Sequence, residues 1–75
     1  MARVLHLLTG GDTSLVPTVI RRDLEAGDEV AVALLADAVA SPPLPDRVGR
    51  HRVPADWSYE QLLEQIFAAD RVTTW

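Results

Sequence analysis

Two short apolar runs, separated by one amphipathic segment, set narrow limits on how this chain can fold. Residues 4–8 (VLHLL) form a nearly continuous apolar run that ends at Thr9-Gly10-Gly11, and residues 30–35 form a second run. A run of this kind is typical of a strand covered on both faces, as in a parallel sheet. The sequence therefore predicts a strand, a helix and a second strand, joined by a right-handed parallel crossover.

The segment between the two runs has the features of a helix. Asp12, Thr13 and Ser14 are good N-cap residues, and Pro17 falls in the first turn, where its missing N–H has no cost. Gly27 stands where a left-handed C-cap residue belongs. Apolar residues recur between these points at helical spacing, with charged residues on the opposite side: Leu15, Val16, Val19, Ile20 and Leu24.

The middle of the chain is less regular. Residues 36–40 are compatible with a short helical turn, whereas three prolines among residues 42–45 exclude a regular helix or a central strand there. Residues 48–53 have marginal strand character, which suits the edge of a sheet, where arginines are tolerated.

The C-terminal third predicts a second helix and a last strand. Ser58 and Gln61 have the spacing of a capping box, and Asp56 offers a further cap. Residues 71–75 are rich in β-branched side chains and indicate a short strand. We therefore expect one α/β domain, residues 1–75, with a small, mainly parallel sheet of three to four strands and two principal helices. An apolar stripe defines the second helix: Tyr59, Leu62, Leu63, Ile66 and Phe67.

The composition argues against several classes of function. The chain has 75 residues and no cysteine, so neither a disulfide nor a Cys/His metal cluster is open to it, and oligomerisation is the remaining means of stabilising so small a domain. Its net charge of −4 argues against nucleic acid as a direct partner. No stretch approaches the ~18 apolar residues of a membrane span. No signal-peptide cleavage pattern follows the first apolar run, so we expect a cytoplasmic location.

One basic segment departs from the acidic balance. It contains Arg47, Arg50, His51 and Arg52. Such a cluster can face a phosphate group or an acidic partner, although it is more often a solvated strand or loop.

Two segments resemble the TusB/DsrH family of DsrE-type sulfur-relay proteins. Residues 59–75 (YEQLLEQIFAADRVTTW) are similar to the family's ending, in which a tyrosine-led amphipathic helix and a charged turn precede a short strand closing on tryptophan. Residues 23–39 (DLEAGDEVAVALLADAV) are similar to its passage of helix, Gly-Asp, strand and Asp-Gly-Val, with Ala38 at the glycine position. Together the two segments cover about half of the chain.

The resemblance implies a reduced DsrE-like fold and a structural role. Members of this family dock with DsrE-like subunits that hold a persulfide cysteine, and the sulfur passes toward 2-thiouridine in tRNA or serves sulfur oxidation. Thiolate is the nucleophile that such a transfer needs, so a chain without cysteine is expected to be a non-catalytic, cofactor-free subunit that associates with cysteine-bearing subunits or with itself. The chain is also shorter than the family pattern between Ala40 and Trp57, and it sides with the TusB branch, which manages without cysteine.

A second resemblance points to another class. Residues 3–11, a helix, and then residues 27–32 look like the opening of a retaining nucleotide-sugar glycosyltransferase, a pattern common to many Rossmann-like folds. A chain this short cannot supply both domains of such an enzyme. The alternative that it leaves open is a stand-alone anion- or nucleotide-binding Rossmann-like module.

The loop that would serve this module joins the first strand to the helix N-terminus, where exposed amides favour anions. It lacks the lysine of a P-loop and the third glycine of a dinucleotide fingerprint. The other interpretation is a tight turn in which Thr13 and Ser14 cap the helix. The candidate anion-binding residues are Gly10, Gly11, Thr13 and Ser14.

No residue pattern predicts a catalytic or metal site. His6 lies inside the first apolar run and is better interpreted as a packed, hydrogen-bonded residue than as a ligand. His51 has no metal-ligating partner at suitable spacing. Ser14 and Ser58 lack the context of a nucleophile elbow, and no two carboxylates suggest an acid–base pair.

The four aromatic side chains all fall in the last nineteen residues. They can form the core of the C-terminal helix and strand, which we expect for Phe67. Two tryptophans are, however, hard to bury completely in so small a domain, and tryptophan and tyrosine are enriched at interfaces. We therefore predict Trp57, Tyr59 and Trp75 as interface residues.

Overall fold

The computed structural model describes residues 2–10, 13–35 and 44–75 of the chain. Its elements confirm the predicted α/β architecture, with two helices and a small sheet in which all four strands are parallel. The helix-like turn expected at residues 36–40 lies outside the described residues. The elements are β1 (Arg3–Leu8), α1 (Val16–Glu25), β2 (Glu29–Leu34), β3 (Gly49–Arg52), α2 (Tyr59–Ala68) and β4 (Arg71–Thr74).

The strand order is β3-β2-β1-β4, so the chain reverses its direction of travel across the sheet. It first moves from β1 outward to β3, and then crosses back to place β4 on the other side of β1. Right-handed crossovers in opposite directions put their helices on opposite faces of a parallel sheet. The packing agrees, because α1 and α2 belong to two separate apolar clusters.

The α1 face of the sheet carries the larger cluster. Val4, Leu8 and the alternate residues of β2 pack there against Val16 and Ile20 of α1. The other face is covered by α2, where Leu62 packs with Leu5 of β1 and Ala33 of β2. Each central strand is therefore covered on both sides, which is the reason its sequence lacks polar alternation.

The start of α1 differs from the prediction. The helix begins at Val16, its N-cap residue is Leu15, and no side chain caps it. Capping by Thr13 or Ser14 is thus wrong: the backbone N–H of Val16 donates to the carbonyl of Thr13, and this turn places both residues ahead of the helix. Pro17 does lie in the first turn, as expected.

The end of α1 follows the prediction closely. Gly27 has a positive φ of 86° directly after the C-cap residue Ala26. The N–H of Gly27 donates to the carbonyl of Leu24, and the N–H of Asp28 donates to that of Asp23. This pair of hydrogen bonds is the Schellman motif, which turns the chain directly into β2.

A complete capping box begins α2, as predicted. The Ser58 hydroxyl accepts from the backbone N–H of Gln61 at 3.1 Å, and the Gln61 side chain accepts from the N–H of Ser58 at 2.9 Å. The marginal strand expected at the sheet edge also forms, as β3.

The apolar stripe of α2 is only half buried. Leu62 is buried against the sheet and Ile66 partly so, whereas Phe67 is 79% exposed. The expectation that Phe67 belongs to the core is therefore wrong. The apolar arc of α2 is wider than the sheet surface beneath it, so residues one position beyond Leu62 and Ile66 turn about 100° away from the sheet.

The described helices are too short and too polar to cross a membrane.

Candidate functional site

A buried polar network joins the middle of β1 to α1 and β4. His6 is fully buried on the α1 face. The indole Nε1 of Trp75 donates to its Nδ1 at 3.0 Å, and indole nitrogen can only donate. Nδ1 therefore carries no proton, and Nε2 carries one, which it donates to Oδ2 of Asp23 at 3.0 Å. The geometry fixes the neutral Nε2–H tautomer of His6.

The same network continues to the surface through Asp23. This carboxylate is 7% exposed, and its second oxygen accepts from Nη2 of Arg71 at 2.8 Å. The same guanidinium nitrogen also reaches Asp28 at 3.5 Å. In the described residues every buried side-chain nitrogen and oxygen atom has a hydrogen-bond partner. The network is thus satisfied throughout, as a stable buried polar cluster must be.

The His6–Asp23 pair has the chemistry of a general base with its orienting carboxylate, but the site cannot act as one. Both ring nitrogens are already engaged, and the ring has no access to solvent. A general base must lie within hydrogen-bond reach of the proton it removes. The arrangement is structural, and it confirms the interpretation of His6 as a packed, hydrogen-bonded residue.

The carboxyl edge of the sheet is where a doubly wound fold ordinarily binds ligands, at the point where the strand order reverses. Here that point lies between β1 and β4. The Trp75 carbonyl accepts from both the N–H and the hydroxyl of Thr9, at 3.3 and 2.6 Å. The Trp75 side chain packs on the α1-face cluster. Among the described residues, Thr9 and Trp75 are thus hydrogen-bonded to each other at this edge, between β1 and β4.

The predicted anion loop lies beside this edge. Gly10 has a positive φ of 103°, which allows the tight turn after β1, and Thr13 and Ser14 precede α1. Gly11 is outside the described residues. Anion binding by this loop stays a prediction.

A groove of about 740 Å³ lies at the opposite edge, where β1 and β2 begin and both helices end. Leu24, Gly27 and Ala68 are among its lining residues, and the ion pair of Arg3 with Glu29, at 3.3 Å, lies at its margin. Nowhere in the described part of the chain do three potential metal ligands come together.

The three predicted interface aromatics have different surroundings. Trp57 is half buried and stacks on His51, with ring centroids 4.0 Å apart and planes 9° from parallel. Trp75 is half buried and bonded to His6. Tyr59 is 65% exposed. Two of the three are thus held by intramolecular contacts, and an interface role for them stays a prediction.

Sequence reasoning missed the exposure of two apolar residues of α2, Leu63 and Phe67. Leu63 is 51% exposed, and with Tyr59 and Phe67 it recurs every fourth residue, so the three side chains share one flank of the helix. We call these three residues the α2 stripe. The signal was present in the sequence, because five apolar positions exceed what a ten-residue helix over one sheet can bury.

The α2 stripe faces the outer edge of the sheet at β4. Leu62 points at the sheet, and Gln65 lines the groove together with Ala31 of β2. The helical flank opposite Gln65 therefore lies on the β4 side. Val72, which pairs with Leu5 and so points to the α2 face, is 37% exposed there.

Two features border this apolar surface. Glu60 and Glu64 are exposed and follow the stripe on its solvent side, one position further round the helix. Strand β4 pairs only with β1, so within the described part of the chain no strand covers its outer edge. The α2 stripe, the exposed Val72 and this edge together form the candidate interaction surface.

Comparison of the chain with protein-family models, curated proteins and solved structures gives no match.

Proposed function

We propose that this protein is a non-catalytic structural subunit of a sulfur-relay assembly, which docks through its α2 stripe and β4 edge onto related, cysteine-bearing DsrE-like subunits. The observation that carries the proposal is the α2 stripe itself: three large apolar side chains stand exposed on one helix of a domain with no thiol. Such a surface marks an interaction site more often than a monomer's ordinary exterior.

The chemistry of the chain supports a partner-dependent role. Persulfide transfer needs a thiolate, and the chain has no cysteine. The one histidine paired with a carboxylate among the described residues, His6, is enclosed on every side. The sulfur-carrying group must therefore come from the partner. A relay that depends on reduced thiols also fits the cytoplasm, where we place the protein.

The small size of the domain also favours association with a partner. A domain of this size buries only roughly 60% of the surface that its unfolded chain exposes. Covering one side chain of the size of Phe67 or Leu63 contributes about 1.5–3 kcal/mol. Association through the α2 stripe would thus add stability that the isolated domain cannot obtain from its own core.

The location of the residues that resemble TusB/DsrH proteins also supports the proposal. Residues 59–75, which resemble the end of TusB/DsrH proteins, are the same residues that form α2, the turn at Asp70 and β4. They carry the entire candidate interaction surface. The alternative, a stand-alone nucleotide-binding module, has less support because Thr9 and Trp75 are hydrogen-bonded to each other at the strand ends that such a module would use.

Co-expression tests the proposal. The tagged chain would be expressed with the cysteine-bearing DsrE-like proteins of its source organism, whose genes we expect beside its own, and the eluate separated by size. We expect a complex of fixed stoichiometry in which persulfide labelling falls on the partner alone. A chain that elutes as a monomer with no DsrE-like companion would rule the proposal out.

A further inference from the structure

We propose that the occupant of the α2 stripe is an amphipathic helix of the partner protein, with an apolar face bordered by lysine or arginine. The inference rests on the proposed function only in requiring a protein partner at this surface. It adds the secondary structure and the charge of the segment that binds.

The shape of the surface fits a helix. Helix α2 contacts β1, and the β4 residues Val72 and Thr74 on the same face are exposed. Packed helices lie 8–10 Å apart, about two strand spacings, so a helix beside α2 would rest on β4 and the space just beyond it. The stripe from Tyr59 to Phe67 is about 12 Å long, which two turns of such a helix would cover.

Glu60 and Glu64 form an acidic rim along the α2 stripe, and their charge determines which charge on the partner is favoured. Glu60 and Glu64 run parallel to the α2 stripe, and α2 contains no lysine or arginine. A helix packed against the stripe must bring one of its own borders up to these carboxylates. Basic residues at that border would pair with them, whereas acidic residues would repel.

The same rim disfavours two other occupants. A second copy related by a two-fold axis would set the same acidic rim against itself, because an isologous contact pairs identical patches. A membrane with anionic lipids would repel Glu60 and Glu64. A basic amphipathic helix is the occupant that satisfies both the apolar stripe and its border.

A helix-display library provides the test. It would present 18-residue peptides with leucine fixed at helical spacing and all bordering positions randomised, so that selection on the folded protein reports the preferred charge. We expect lysine and arginine to be enriched at the border. Binding of an enriched peptide, followed by fluorescence anisotropy, should weaken at least tenfold in Phe67→Glu and in the double variant Glu60→Lys/Glu64→Lys.

The control is Leu15→Glu, which places the same charge at another exposed apolar residue and should leave binding unchanged. No enrichment, enrichment without basic residues, or peptide binding that survives Phe67→Glu would overturn the inference. So would a dimer of the free protein in sedimentation equilibrium that Phe67→Glu dissociates, or binding to lipid vesicles through the stripe.

The two proposals fail separately. If basic helices bind the stripe but no DsrE-like protein does, the sulfur-relay function is wrong and this inference stands. If a DsrE-like complex forms and persists in Phe67→Glu, the sulfur-relay role stands, whereas docking through the α2 stripe, and with it this inference, is wrong.

Discussion

The indole nitrogen of Trp75 donates a hydrogen bond to Nδ1 of His6 at 3.0 Å, across 69 positions of the sequence. This bond joins the last described residue to the middle of β1, and it decides which nitrogen of the imidazole carries the proton. The opposite side of the ring meets Asp23 on α1, so one buried histidine connects β1, α1 and the residue that follows β4.

The tautomer of His6 is the first prediction. Because Trp75 can only donate, we expect the imidazole to be neutral with its proton on Nε2. A long-range ¹H–¹⁵N correlation spectrum of the ring distinguishes the two nitrogens directly. A proton found on Nδ1 would contradict the hydrogen-bond pattern, and Trp75→Phe should change the Nδ1 signal because it removes the donor.

The second prediction concerns Asp23. Asp23→Asn removes the charge that faces Arg71, and hydrogen bonds to charged groups contribute about 1.5–3 kcal/mol. Arg71 is half exposed, so we expect the lower part of this range, a loss of about 2 kcal/mol in the free energy of unfolding measured in urea. The control Glu25→Gln, on the exposed side of the same helix, should change it by less than about 0.5 kcal/mol. Equal effects of the two variants would show that the network does not stabilise the fold.

The third prediction tests the start of α2. Ser58→Ala removes the hydroxyl that accepts from Gln61, and loss of an N-cap costs about 1 kcal/mol. Ser58→Asp keeps an acceptor at the same place and should retain most of the stability. Circular dichroism during thermal unfolding measures both variants. An alanine variant as stable as the aspartate variant would mean that the capping box contributes nothing.

The fourth prediction separates core from surface on α2. Leu62→Ala should lower the free energy of unfolding by about 2–5 kcal/mol, because it opens a cavity under the helix. Phe67→Ala should change that of the monomer by less than about 0.5 kcal/mol, because its ring is largely in solvent. Chemical denaturation of both variants at low protein concentration makes the comparison. A large loss in Phe67→Ala would place that ring in the core.

Local patterns predicted the elements of this fold well. The two apolar runs gave β1 and β2 within one residue of their observed bounds, and the Ser58–Gln61 spacing gave the first turn of α2. Both signals are local, since strand burial and capping depend on residues that are near in sequence. The prediction for the start of α1 was wrong because a backbone turn at Thr13 takes the place of the side-chain cap.

The interactions between distant residues were beyond such reasoning. No local pattern relates His6 to Asp23, Arg71 or Trp75, which lie 17 to 69 positions away and meet only after the sheet has formed. The exposure of Phe67 depends likewise on where α2 rests on β1, since the same helix centred over β4 would bury it. Periodicity shows which residues share a face, but the breadth of the face that is covered is a tertiary property.

The most direct test of the central claim is sedimentation velocity on the purified chain mixed with the cysteine-bearing DsrE-like subunits of its source organism. We expect one faster-sedimenting complex with the wild-type chain and with Leu15→Glu, and its loss with Phe67→Glu. Components that sediment separately with the wild-type chain would contradict the account.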